Sequence, residues 1–227
     1  MMSTRLFSIL SALCCILGAA LLITSFTLNP APSTNATGAQ LAAFGKLYHN
    51  EILIGAWLQA ISPFLILLFA LAIVYLAGAI TRFAGLVSIC GGMLLVIVSL
   101  IEVTFFLGAA NAGNLMTAQI SLSLVRAVQH LYSIIAAPAL IIPLGFVILG
   151  SRVLPRVLGY VAIVIGIVFA ILGVIYLFTP VADGVAILAV TEAIEELWFP
   201  VAAITLIVRA VMTPATAIVE KPSPVSA

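Results

Sequence analysis

Six stretches of near-continuous apolar sequence leave this chain little choice of solvent. They run Leu6–Leu28, Glu51–Leu76, Ala84–Gly108, Ile120–Gly150, Leu158–Phe178 and Gly184–Val208. At about 1.5 Å per residue each is long enough to cross a hydrocarbon core of roughly 30 Å. Only 7% of the 227 residues are charged, against about 25% in ordinary globular domains. A water-soluble fold would have too little charge to cover its surface. In lipid every backbone N–H and C=O must be paired inside the protein. A barrel would show strands of about ten alternating residues, a pattern this sequence lacks. The expected fold is all-α, a polytopic transmembrane helical bundle of six spans. Residues 1–212 would form that single domain, and the Pro-, Ser- and Ala-rich 213–227 a disordered cytoplasmic tail.

Basic residues orient the bundle. If the spans alternate, Arg5, Arg82, Arg152, Arg156, Arg209 and Lys221 share one side, Lys46 lies opposite, and Arg126 falls inside a span. The positive-inside rule then makes both the N-terminus and the C-terminus cytoplasmic. Arg5 before an apolar stretch imitates a secretory signal, but Leu6–Leu28 exceeds the roughly 7–15 residues of a signal's apolar region. It reads as the first span. Asn29–Asn50, opening NPAPSTNATG, is then the long outer loop, placed to cap an outer mouth, and the Asn35 sequon within it reads as a chance match. Gly159, Gly166 and Gly173, spaced by seven, put a small-residue stripe on the fifth span for close helix packing.

A net charge of +1 supplies no basic patch to release counterions, which excludes nucleic acid as a partner. Cys14, Cys15 and Cys90 lie within apolar runs and read as small packing residues rather than a disulfide framework. The lipid bilayer is the first partner expected.

Charge inside the spans is the informative exception. Glu102 lies in the third, Arg126 and His130 in the fourth, and Glu192, Glu195 and Glu196 in the sixth. Each costs on the order of 2.5–3.5 kcal/mol if left unpaired at mid-membrane, so they must turn inward. Ser123, Arg126, Gln129, His130 and Ser133 form one helical stripe, the glutamates of the sixth span another, and Ser99 sits three residues before Glu102. Glu51, Trp57 and Gln59 enter at the outer end of the second span. These depths predict a polar cavity between spans two, three, four and six, open toward the outside. The ligand-binding set is Trp57, Gln59, Glu102, Arg126, Gln129, His130, Glu192, Glu195 and Glu196.

Pro63, Pro138 and Pro200 lie within or just beneath this layer. Each frees the carbonyl four residues earlier, those of Gln59, Ile134 and Glu196, and a freed carbonyl in lipid needs another partner. Arg126 is expected to pair with one or two of the glutamates. Four acids exceed one arginine, and close carboxylates cannot all ionise, so at least one should hold a proton. The Glu-x-x-His pairs of di-iron bundles and His-Glu-x-x-His are both missing, so no metal and no cofactor is expected.

Three functions fit. The first is binding or transport of a small cationic or amphipathic molecule, with a chain this short acting as a homo-oligomer. The second is an intramembrane enzyme using carboxylate acid–base chemistry on a lipid or isoprenoid. The third is a structural or regulatory subunit held together by the polar network.

Three segments read together, SLIEVTFFLGA, GSRVLPRVLGYVAIVIG and TEAIEELWFPVAAITLIV, carry a family resemblance over most of the chain. It resembles a bacterial family of six-span integral membrane proteins, a domain-of-unknown-function family. The resemblance implies that fold and a bacterial cytoplasmic (inner) membrane location, and assigns no reaction or catalytic residue.

Overall fold

The computed structural model describes residues 3–28, 38–178 and 181–212, and about 90% of these described residues are helical. The helices are α1 Thr4–Leu28, α2 Gly38–Leu47, α3 His49–Leu76, α4 Phe83–Ala110, α5 Leu115–Leu131, α6 Ala137–Leu149, α7 Arg156–Phe178 and α8 Val181–Met212. No strand occurs among the described residues. A single π turn, Tyr132–Ala136, joins α5 to α6 as one continuous rod. Among the described residues, Thr4–Leu28, His49–Leu76, Phe83–Ala110, Leu115–Leu149 and Arg156–Phe178 are the five helical segments long and apolar enough to cross a membrane. The 32-residue α8 carries Asp183, Glu192, Glu195, Glu196 and Arg209, and is too charged to join them on composition.

Neighbours in sequence are neighbours in space. α1 packs on α3, α3 on α4, α4 on α5 and α6, α6 on α7 and α7 on α8, and α8 returns to α1 to close the bundle. Consecutive long segments run antiparallel, as Phe7 near the start of α1 shows by its edge-on contact with Tyr75 at the end of α3, 5.4 Å between centroids. Arg5, Arg82, Arg152, Arg156 and Arg209 thereby gather toward one end.

Local chemistry sets the joints. At the end of α3, Gly78 takes the left-handed conformation (φ 61°), Ala79 N–H donates to the Val74 carbonyl and Gly78 N–H to Tyr75, both at 2.9 Å. This Schellman closure satisfies carbonyls the helix end would strand and turns the chain into α4. Asn114 caps α5 by accepting the Thr117 N–H at 2.9 Å. The π turn precedes Pro138, which has no N–H to donate and whose ring crowds the carbonyl four residues back. The wider turn lets Ala137 N–H reach the Tyr132 carbonyl instead. The glycine stripe of α7 faces α6 and the π turn: a Cβ on Gly159 would lie 2.9 Å from the Gly145 carbonyl, and one on Gly173 would lie 3.0 Å from Ile134 N.

The expected outer loop Asn29–Asn50 is in part helical, because α2 occupies Gly38–Leu47 and rests against α3, α4 and α5. Asn35 and the 213–227 tail lie outside the described residues. Toward the arginine-bearing end the interior is solidly apolar, with Phe69, Ile73, Leu144, Ile148, Phe199 and Ala202 almost without exposed surface.

Candidate functional site

Polar side chains meet in the other half of the bundle. Gln59 on α3 donates its amide N–H to Glu102 Oε2 at 2.8 Å, and Gln129 on α5 donates to Glu102 Oε1 at 2.9 Å. The carboxylate on α4 therefore ties together three helices, each oxygen taking one amide hydrogen. Ser99, one turn before Glu102, donates its hydroxyl to the backbone carbonyl of Gln59 at 3.2 Å. That carbonyl is the one Pro63 deprives of its helical partner. A side chain from the neighbouring helix thus takes the place of the missing backbone N–H.

Beside this network lies a cavity of about 60 Å³. Its polar wall comprises Gln59, Ser99, Glu102, Gln129, Tyr132, Glu192 and Glu196, and its apolar wall is built by Leu22 and Phe26 of α1 with Pro63, Ile66 and Leu95. No basic side chain among the described residues lines it. Glu196 is 5% exposed and its Oε2 has no hydrogen-bond partner. Glu195, 1% exposed, sits behind the wall, where Tyr132 directs its hydroxyl toward Oε2 over a long 3.4 Å and Oε1 is left unpaired. A buried carboxylate oxygen without a donor forfeits hydration at substantial cost.

The structure gathers Gln59, Glu102, Gln129, Glu192 and Glu196 around one space and Glu195 one step behind it. His130 lies to the side, its ring 4.4 Å from that of Tyr176 on α7 and its Nδ1 buried without a partner. Two residues of the expected set fall elsewhere. Trp57 is 61% exposed on the outer surface, because two residues of helix rotate a side chain about 200° away from Gln59. Arg126 is also exposed and forms no ion pair with the glutamates. Only Val125 and Val128 are buried on α5, and Arg126 follows Val125 by about 100° of rotation, which carries it off the packed face. Glu102, one of the glutamates expected to pair with it, is instead provided with donors by two neutral amides.

The sequence reading also omitted groups. Tyr132 lies three residues beyond Gln129 on the same stripe, a signal available from spacing but not used. Leu22 and Phe26 carried no such signal, since apolar residues on an apolar span look alike. Among the described residues no three His, Cys, Asp or Glu side chains converge as metal ligands would.

No family model matches the chain, and no curated protein or solved structure matches it either. The site is read on its own chemistry.

Proposed function

We propose that the chain is a six-span protein of the bacterial cytoplasmic membrane, with both ends cytoplasmic, that binds a small cationic or amphipathic molecule from the outer side and carries it as cargo. The observation behind this reading is a cavity bordered by Glu102, Glu192 and Glu196 without one basic side chain among the described residues. Carboxylates grouped in a low-dielectric site must either hold protons or meet a counter-charge, and a cationic ligand brings the second. The apolar wall offered by Leu22, Phe26, Ile66 and Leu95 suits a short hydrocarbon portion of the same molecule.

The sixth span is α8. Its 32 residues exceed the roughly 20 needed to cross the hydrocarbon core, and Glu195 and Glu196 are buried in protein rather than offered to lipid. The arginine-bearing end is cytoplasmic by the positive-inside rule, which puts the apolar plug on the inside and the polar layer on the outside. Membership of the six-span bacterial family belongs to the same proposal, and so does a homo-oligomeric transporter.

The test is native mass spectrometry of protein freshly extracted from its own membrane. A reproducible adduct that disappears in Glu196→Gln is the expected result. A bare mass, with Glu196→Gln altering only stability, would overturn the reading. It would favour instead a purely structural network, a role to which Glu102, with both oxygens already tied to neighbouring helices, is well suited.

A further inference from the structure

The cavity's two hydroxyl donors are directed away from it, and each of its two amide groups commits one of its two hydrogens to Glu102. Ser99 commits its only hydroxyl hydrogen to the Gln59 carbonyl, and Tyr132 directs its own toward Glu195. Gln59 and Gln129 turn their amide nitrogens onto Glu102, which turns their amide oxygens away from that carboxylate. Glu192 and Glu196 add further lone pairs, and Glu196 Oε2 is buried without a partner. Lone pairs around this space therefore outnumber the hydrogens available to meet them. Hydrogen-bond complementarity selects an occupant that donates several N–H groups and accepts none.

We propose that the site takes a primary ammonium group on a short apolar tail. This deepens the cation-binding reading above and rests on it. Three N–H donors and a positive charge meet the lone pairs and carboxylates, and the tail packs on the apolar wall formed by Leu22 and Phe26. Size fits as well: a cavity of about 60 Å³ has room for roughly four to six water-sized groups, and n-propylammonium has four heavy atoms. A methylated ammonium of the same charge fills the same volume but leaves acceptors unmet.

The test compares two isomers, n-propylammonium with three N–H donors and trimethylammonium with one, at equal ionic strength. Binding is read by thermal unfolding and calorimetry of the full chain in phosphatidylcholine nanodiscs. The expected result is at least tenfold tighter binding of n-propylammonium, weakened at least tenfold by Glu196→Gln. Because the isomer comparison is made on the unaltered protein, it survives even if that variant fails to fold. Equal binding of both isomers, lost in Glu196→Gln, would overturn donor selection while leaving the cation site standing. Binding of neither isomer would overturn both. Adding phosphatidylethanolamine to the nanodiscs separates the sources of the group. Competition with n-propylammonium assigns the ammonium to a lipid headgroup, and its absence assigns it to a free amine.

Discussion

Ser99 on α4 donates its hydroxyl to the Gln59 carbonyl on α3, 3.2 Å away, and so completes the helix that Pro63 interrupts four residues later. The proline and the serine belong to different spans, yet each makes the other necessary. Pro63 opens a carbonyl toward α4, Ser99 closes it, and the same two helices then hold Gln59 against Glu102. The kink and the polar site are one construction.

Ser99→Ala should therefore lower stability by about 1 kcal/mol, the scale of interhelical hydrogen bonds in membranes. The loss should shrink in a Pro63→Ala background, where the new backbone N–H can serve the Gln59 carbonyl. A double-mutant cycle by unfolding in mixed micelles measures the coupling; strictly additive losses would show that the two positions are independent.

Gln59→Leu and Gln129→Leu each remove a donor from Glu102 but should not cost the same. Gln59 is 5% exposed, whereas Gln129 is on the exposed side of α5. Neighbouring groups have more room to rearrange around the second loss than around the first. Gln59→Leu should cost about 1–3 kcal/mol, the penalty for an unmet buried group, and Gln129→Leu clearly less. Unfolding in the same micelles decides it, and equal losses would contradict the burial argument.

Gly91 on α4 lies against the Ala139 carbonyl of α6, which Pro143 leaves without its helical donor. An added Cβ would overlap backbone atoms that cannot rotate aside. Gly91→Ala should cost about 2 kcal/mol or more, within the range for overpacking a tight interior. Gly45→Ala, with open space around it, should be neutral or stabilising. Paired thermal melts of the two variants check this, and a harmless Gly91→Ala would refute the close approach.

Orientation has a direct assay. With Cys14, Cys15 and Cys90 replaced by alanine, Lys46→Cys should react with an impermeant maleimide in intact cells. Arg152→Cys should react only after permeabilisation. The reverse pattern would invert the bundle, and labelling of both from one side would mean a wrong number of spans between them.

Sequence alone determined the solvent, the helical class and the acids that could not face lipid, because these follow from local quantities: run length, hydropathy and side-chain chemistry. Five apolar segments came through as helices of spanning length, and the alternating orientation of the spans was enough to suspect a shared depth for Gln59, Glu102 and Gln129. The tertiary structure decided which way each helix faces. Trp57 and Gln59, or Arg126 and Gln129, are neighbours in sequence, and a span that is apolar all round carries no moment strong enough to say which of them turns inward. That rotation is set by packing: by Val125 and Val128 on α5, by Ser99 reaching the carbonyl opened by Pro63, and by the π turn that settles Pro138 and brings Tyr132 to the cavity. Such contacts join residues dozens of positions apart, and no local pattern records them.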